Sequence, residues 1–204
     1  MSKIITIGRQ FGSGGRAVGK KLAKELDISF YDNEIVDKVV ADSDLHPDVV
    51  KSADERATDS LLYSLITGGG LRGVSDAMQY EMPINDKVFI NQTKVIKEFA
   101  AKGSGVFVGR CADYILEEQK GVLRVFIYAD METRIARVAE FDGITPQKAK
   151  ERIVKKERQR KAYYNYYTDK TWGSMQSYDL CINTTRTGID GAVDIIKDFL
   201  EKKG

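Results

Sequence analysis

A short apolar run, Ile4-Ile5-Thr6-Ile7, meets a glycine-rich turn, Gly8-Arg9-Gln10-Phe11-Gly12-Ser13-Gly14-Gly15-Arg16. A segment of helical period follows, with Ala17, Val18, Leu22, Ala23 and Leu26 on one face. Strand, glycine loop and helix in that order are the layout of a phosphate cradle. Glycines let the backbone turn with positive φ and bring its N–H groups close to an anion. The helix behind adds unpaired N–H groups and the positive end of its dipole.

The loop departs from the common form G-x-x-x-x-G-K-[ST], whose lysine reaches the β and γ phosphates and whose hydroxyl meets Mg²⁺. Gly12-Ser13-Gly14 occupies the G-S-G place, but Gly15 and Arg16 stand where the lysine and hydroxyl belong. A literal G-x-x-x-x-G-K runs from Gly14 to Lys20. It would lie inside the first helix, between Val18 and Leu22, and it ends in Lys21 rather than a hydroxyl residue. The missing charge is therefore assigned to Arg9 or Arg16, since guanidinium pairs well with phosphate oxygens. The competing reading is a tight strand-to-helix turn with solvated arginines.

The remaining elements extend the pattern. Residues 3 to 8 are expected as a strand and 16 to 26 as a helix, with a short strand at Phe30-Tyr31-Asp32. Helices are expected over 33 to 41, 54 to 66 and 86 to 101. The run Gly68-Gly69-Gly70-Leu71-Arg72-Gly73 breaks the chain and makes 66 to 76 the expected mobile loop. Strands follow at Val106-Phe107-Val108, at 122 to 129 and at 178 to 182. Helices fill 131 to 139, 146 to 161 and 189 to 201, and Thr145-Pro146 opens the second of these. Alternating strands and helices predict a parallel sheet covered on both faces, with ligands at the carboxyl ends of its strands. The glycine turn and Gly109-Arg110 both fall there.

Composition narrows the function classes. The 204 residues carry a net charge of +2, which gives no global basic character for nucleic acid or an anionic membrane. Cys111 and Cys181 form no redox or metal motif, and one histidine, His46, leaves no Ser-His-Asp triad and no histidine-rich zinc site. No stretch is long and apolar enough for a signal peptide or membrane span, so a cytoplasmic protein is expected.

Several separated segments resemble the cytidylate kinase-like family, relatives of cytidylate kinase among the P-loop nucleoside monophosphate kinases. They are Ile4-Ile5-Thr6-Ile7 with Gly8-Arg9-Gln10-Phe11-Gly12-Ser13-Gly14-Gly15; Ile28-Ser29-Phe30-Tyr31-Asp32; Val106 through Leu116; and Tyr178 through Thr184. The resemblance implies a P-loop NTPase-type parallel sheet flanked by helices. It implies one domain over residues 1–204, with a helical insert at about 40–100 and a lid-like segment at about 141–172. Gly12, Ser13, Gly14, Gly15, Arg16 and Arg9 would hold the ATP phosphates. Asp32 and Arg110 would hold the acceptor, with Asp113 two residues beyond the place where those enzymes have their acid. Ser13 is the nearest hydroxyl for Mg²⁺, and Asp32 is a second candidate.

The basic helix at 148 to 161 matches the place of a kinase lid, whose arginines close over the transferring phosphoryl group. Arg158 and Arg160, beside the aromatic segment, are expected to act with Arg16 in catalysis. The competing reading is a solvated charged helix, with Glu151 and Glu157 balancing the lysines. Arg134 and Arg137 resemble the start of the lid region. Tyr163, Tyr164, Tyr166, Tyr167 and Trp172 are expected as a packing surface, within the domain or across a homodimer. The resemblance implies ATP-dependent phosphoryl transfer to a nucleoside monophosphate, cytidylate first. Two alternatives stay open: a non-catalytic nucleotide sensor on a kinase scaffold, and a kinase for another small acceptor.

Overall fold

The computed structural model describes residues 3–57 and 82–203. Its elements in chain order are β1 (Ile4–Arg9), α1 (Gly15–Glu25), β2 (Ser29–Tyr31), α2 (Asn33–Asp42) and α3 (Pro47–Ala53). Then come α4 (Ile84–Ala101), β3 (Gly105–Val108), α5 (Ala112–Ile115) and β4 (Leu123–Tyr128). The chain closes with α6 (Met131–Asp142), α7 (Pro146–Tyr167), β5 (Leu180–Asn183) and α8 (Thr184–Lys203).

The strands form a five-stranded sheet in the order β2-β3-β1-β4-β5, and every pairing is parallel. Side chains alternate across each strand, so each central strand feeds two cores. Ile5 and Ile7 of β1 join Val106, Val108, Val125 and Ile127 under α1 and α8, where Val18, Leu22, Val193 and Ile196 meet them. Ile4 and Phe107 face the other way, onto Ile35, Val39, Val50, Val95 and Ile96 of α2, α3 and α4. This is the two-sided cover that near-continuous apolar strands require. Helix α1 lies close on the sheet because Gly19 sits at the contact; a Cβ there would stand 3.1 Å from both Ile7 Cδ1 and Val108 Cγ2.

Three elements differ from expectation. Helix α3 opens with His46, whose Nδ1 accepts from the Asp48 N–H at 3.3 Å, and Pro47. That is the cap-and-proline signal that also starts α7, where Thr145 Oγ1 accepts from the Lys148 N–H at 3.4 Å. Residues 54–57 follow α3 as a turn and irregular chain rather than a helix. The remainder of the expected 54–66 helix, the glycine run and the expected mobile loop at 66–76 lie outside the described residues. Helix α7 runs past residue 161 because its aromatic end is buried: Tyr163 and Tyr164 pack with Cys111, Phe89, Tyr114 and Trp172. Helix α8 starts at Thr184 and kinks at Gly188 (φ 68°), so the expected 189–201 segment is its second part.

Candidate active site

The site is built at the carboxyl ends of β1, β2 and β3, where the chain leaves adjacent strands. After β1 the backbone turns through Gly12 (φ 78°) and Gly14 (φ 83°), both in the left-handed region that favours glycine. Packing also excludes larger residues. A Cβ on Gly12 would lie 2.9 Å from Val138 Cγ2, and one on Gly14 would overlap Ile189. The loop is braced from behind. Ser13 Oγ donates to the Gln10 carbonyl at 2.9 Å, and the Ser13 carbonyl accepts from Thr184 Oγ1 at 2.6 Å and from Arg137 at 3.0 Å. Gly14 at the cap of α1 brings no side chain, and of the first N–H groups that of Gly15 donates to Ser13 Oγ at 3.4 Å. Gly14, Gly15, Arg16 and Ala17 line a cleft of about 670 Å³. A helix start that faces a cleft turns its leftover N–H groups and the positive end of its dipole toward whatever enters.

The cleft is positively charged. Arg9, Arg16, Lys20, Arg110, Arg137, Arg152 and Arg160 line it against Asp32, Asp54, Glu55 and Asp142, an excess of three positive charges. Arg110 enters on a strained turn: Gly109 (φ 76°), Arg110 (φ 51°) and Cys111 (φ 55°) are left-handed in succession. That turn points its guanidinium inward, 3% exposed. Arg110 makes a bidentate pair with Asp54 at 2.8 and 2.7 Å and donates to Asp32 Oδ1 at 3.0 Å. Asp32 Oδ2 also accepts from Arg16 Nε at 2.5 Å. Burial pushes the Asp32 carboxyl up, but the charge of Arg110 and the hydrogen bond from Arg16 outweigh it and hold it below the usual range.

A second carboxylate bridges the remaining arginines. Glu55 accepts from Arg9 at 2.6 Å and from Arg160 Nε at 3.0 Å. Arg160 also donates to the Arg9 carbonyl at 3.3 Å and stands over the Phe11 ring. Burial raises Glu55, yet the charges of Arg9, Arg160 and Arg110 hold its carboxyl far below the ordinary value. Burial and the neighbouring charge of Arg9 lower Arg160 against the pull of Glu55.

Among the residues expected from sequence, Arg9, Arg16, Asp32, Arg110 and Arg160 therefore converge on the cleft beside Gly12, Gly14 and Gly15. Three do not. Arg158 is exposed and lines a groove on the outer face of α7 with Lys150, Val154 and Lys155. One residue apart from its neighbours on a helix is 100° of rotation, so Arg158 and Arg160 point to different sides. Ser13 is fully buried, and its hydroxyl is turned onto the Gln10 carbonyl rather than toward the cleft. Asp113 lies beneath the site, where Tyr164 donates to it at 2.7 Å; burial raises its carboxyl despite that bond. Arg16, 59% exposed, is turned to Asp32, and the half-buried Arg9 to Glu55. Asp54 and Glu55 carry no site signal in the sequence, where they stand at the start of an expected helix.

The residues do not fit a protein-held Mg²⁺. Ser13 presents no oxygen to the cleft, and both Asp32 oxygens are engaged by arginines. Among the described residues no group of three or more His, Cys, Asp or Glu side chains is placed to hold a metal ion. No described helix is long and apolar enough to cross a membrane.

The tyrosine cluster packs within the chain. Tyr163 donates to Gln92 at 2.9 Å and Tyr167 to Asp86 at 2.6 Å, which fixes the end of α7 to α4. At its other end α7 is tied to α6 by Arg134–Glu157 at 2.5 Å and Arg152–Asp142 at 3.0 Å.

Comparison with known proteins agrees with this architecture. The chain is 24% identical to a cytidylate kinase from Ignicoccus hospitalis, over 97% of this chain and 98% of that protein. It resembles the solved structure of an uncharacterized protein from Eubacterium ventriosum (TM-score 0.74, 30% identity, 98% and 99% of the two chains). A shikimate kinase from Bacteroides thetaiotaomicron shares the fold at a TM-score of 0.56 and 14% identity, with 98% and 99% of the two chains covered. The sheet, the glycine loop and these neighbours define a P-loop kinase fold. The model of the cytidylate kinase-like family matches residues 4–186, and the chain belongs to that family.

Proposed function

We propose that this protein transfers the γ-phosphoryl group of ATP to a nucleoside monophosphate, with cytidylate as the first acceptor to test. The observation that carries the reading is the meeting of two anion sites in one cleft. One is the start of α1 behind Gly12 and Gly14; the other is the set Arg9, Arg110 and Arg160. In this reading the loop N–H groups hold the donor phosphates, and Arg16 supplies charge in place of the missing lysine by turning from Asp32. Arg110, fixed by Asp32 and Asp54, lies with Arg9 and Arg160 around the acceptor phosphate. Arg160, delivered by α7, neutralises charge on the transferring group. The helices between β2 and β3 are the acceptor-side insert, and the segment at 141–172 is the lid.

Phosphoryl transfer asks for positioning and charge stabilisation more than covalent chemistry, and a cleft lined with guanidiniums supplies both. Mg²⁺ would arrive with the nucleotide, held by phosphates and water as its reluctance to dehydrate favours. The test is titration with ATP and CMP followed by product analysis. The expected products are ADP and CDP in equal amounts. Binding without ADP formation would make the protein a nucleotide-binding module. ADP formed only with a different acceptor would move the reaction to that acceptor.

A further inference from the structure

Glu55 stands where an anionic ligand would be expected. Its carboxylate is 2.6 Å from Arg9 and 3.0 Å from Arg160, and the Arg110 backbone N–H approaches it at 3.5 Å. It also lies against the Gly109 backbone, 2.5 Å from where a Cβ would be. These are the distances at which guanidiniums hold a phosphate oxygen. Glu55 comes from a turn just after α3, in the left-handed region (φ 54°), so the backbone is bent to place this side chain here. Next to it is a chamber of only about 20 Å³, where Arg9, Glu55, Arg110 and Arg160 meet Asp113 and the tyrosine cluster. On the side of the 670 Å³ cleft, which these residues also line, Glu55 takes up the guanidinium donors of Arg9 and Arg160 that a phosphate would use.

We propose that Glu55 is a resident anion in the acceptor-phosphate position, and that an incoming phosphate monoester must displace it. Glu55 is thereby a specificity-determining residue that selects dianionic acceptors over monoanionic ones. This rests on the reading of the cleft as the acceptor site. The physical argument is an exchange. A monoanion that replaces Glu55 offers Arg9 and Arg160 one charge for one charge and must itself be desolvated. A phosphate monoester near its second pKa carries up to two charges and three terminal oxygens. It meets the excess positive charge that one carboxylate leaves. The Glu55 side chain is 16% exposed and lines the open cleft by which an acceptor would enter.

The experiment is calorimetric titration of the wild-type chain and Glu55→Gln with inorganic phosphate at pH 8, with acetate as the monoanionic probe, and with CMP. If Glu55 fills the site most of the time, its neutralisation raises phosphate affinity about tenfold or more. Discrimination between phosphate and acetate narrows in the same variant. Phosphate and CMP binding that is equal or weaker in Glu55→Gln overturns the proposal and leaves the acceptor site standing. Failure of phosphate and CMP to bind either protein overturns the acceptor-site reading and the proposal with it. Glu55→Gln leaves clustered arginines without their carboxylate, so thermal unfolding is measured alongside. The variant is expected to melt lower than wild type and to recover more with phosphate. Glu55→Asp, too short to span Arg9 and Arg160, is expected to bind phosphate with intermediate affinity. Wild-type affinity in that variant counts against the proposal.

Discussion

Arg158 and Arg160 are two residues apart on α7 and have opposite surroundings. Arg160 reaches Glu55 and the Arg9 carbonyl over the glycine loop, whereas Arg158 faces outward with Lys155. Arg160→Ala is expected to lower the ATP- and CMP-dependent rate about a hundredfold or more, the usual effect of removing one group that stabilises developing charge. Arg158→Ala is expected to stay within a few-fold of wild type. Steady-state rates of the two variants check this, and a larger loss in Arg158→Ala would reverse the assignment. Residue types and spacing brought Arg9, Arg16, Asp32 and Arg110 into view, because each flanks a strand end or a glycine. The choice between Arg158 and Arg160 was not legible, since both sit in one basic run and only the helix phase separates them. Glu55 was hidden for another reason: its partner Arg9 is 46 residues away. A buried cation needs a paired anion, but sequence does not say which carboxylate supplies it.

At the scale of the element, the strand–loop–helix unit is the part most constrained by local chemistry. Gly15, at the first position of α1, is buried, and a Cβ there would lie 2.5 Å from Arg9 Cβ. Gly15→Ala is expected to destabilise the chain by about 1–3 kcal/mol, the range for overpacking a filled site. Denaturant unfolding measures it; an unchanged midpoint would mean that the loop has slack the packing denies. Gly15→Lys, which rebuilds the usual motif, is expected to lose stability and gain no activity for the same reason. Strand and helix periods made most of the sheet and its cover readable. The end of α7 was not, because its continuation depends on tyrosines finding Gln92, Asp113 and Asp86 on distant elements. Helix α3 carries a local start signal in His46-Pro47, weaker than Thr145-Pro146 because a histidine is a less common cap than a threonine.

At the scale of the whole molecule, sheet order explains why the site is where it is. β1 lies between β3 and β4, so its loop faces the ends of β2 and β3 on one side and α6 on the other. Arg9, Arg110 and Asp32 leave three neighbouring strand ends, and α7 crosses above them to bring Arg160 down. In the proposed function the two halves of this cleft bind the two ends of a single phosphate chain. An adenosine–cytidine dinucleoside polyphosphate tests this most directly, because it joins donor and acceptor in one ligand. Its dissociation constant, measured by calorimetry beside those of ATP and CMP, is expected to lie about a hundredfold or more below either, as bisubstrate and transition-state mimics do. Arg160→Ala is expected to erase most of that gain. Binding no tighter than ATP alone, unchanged in Arg160→Ala, would contradict the account.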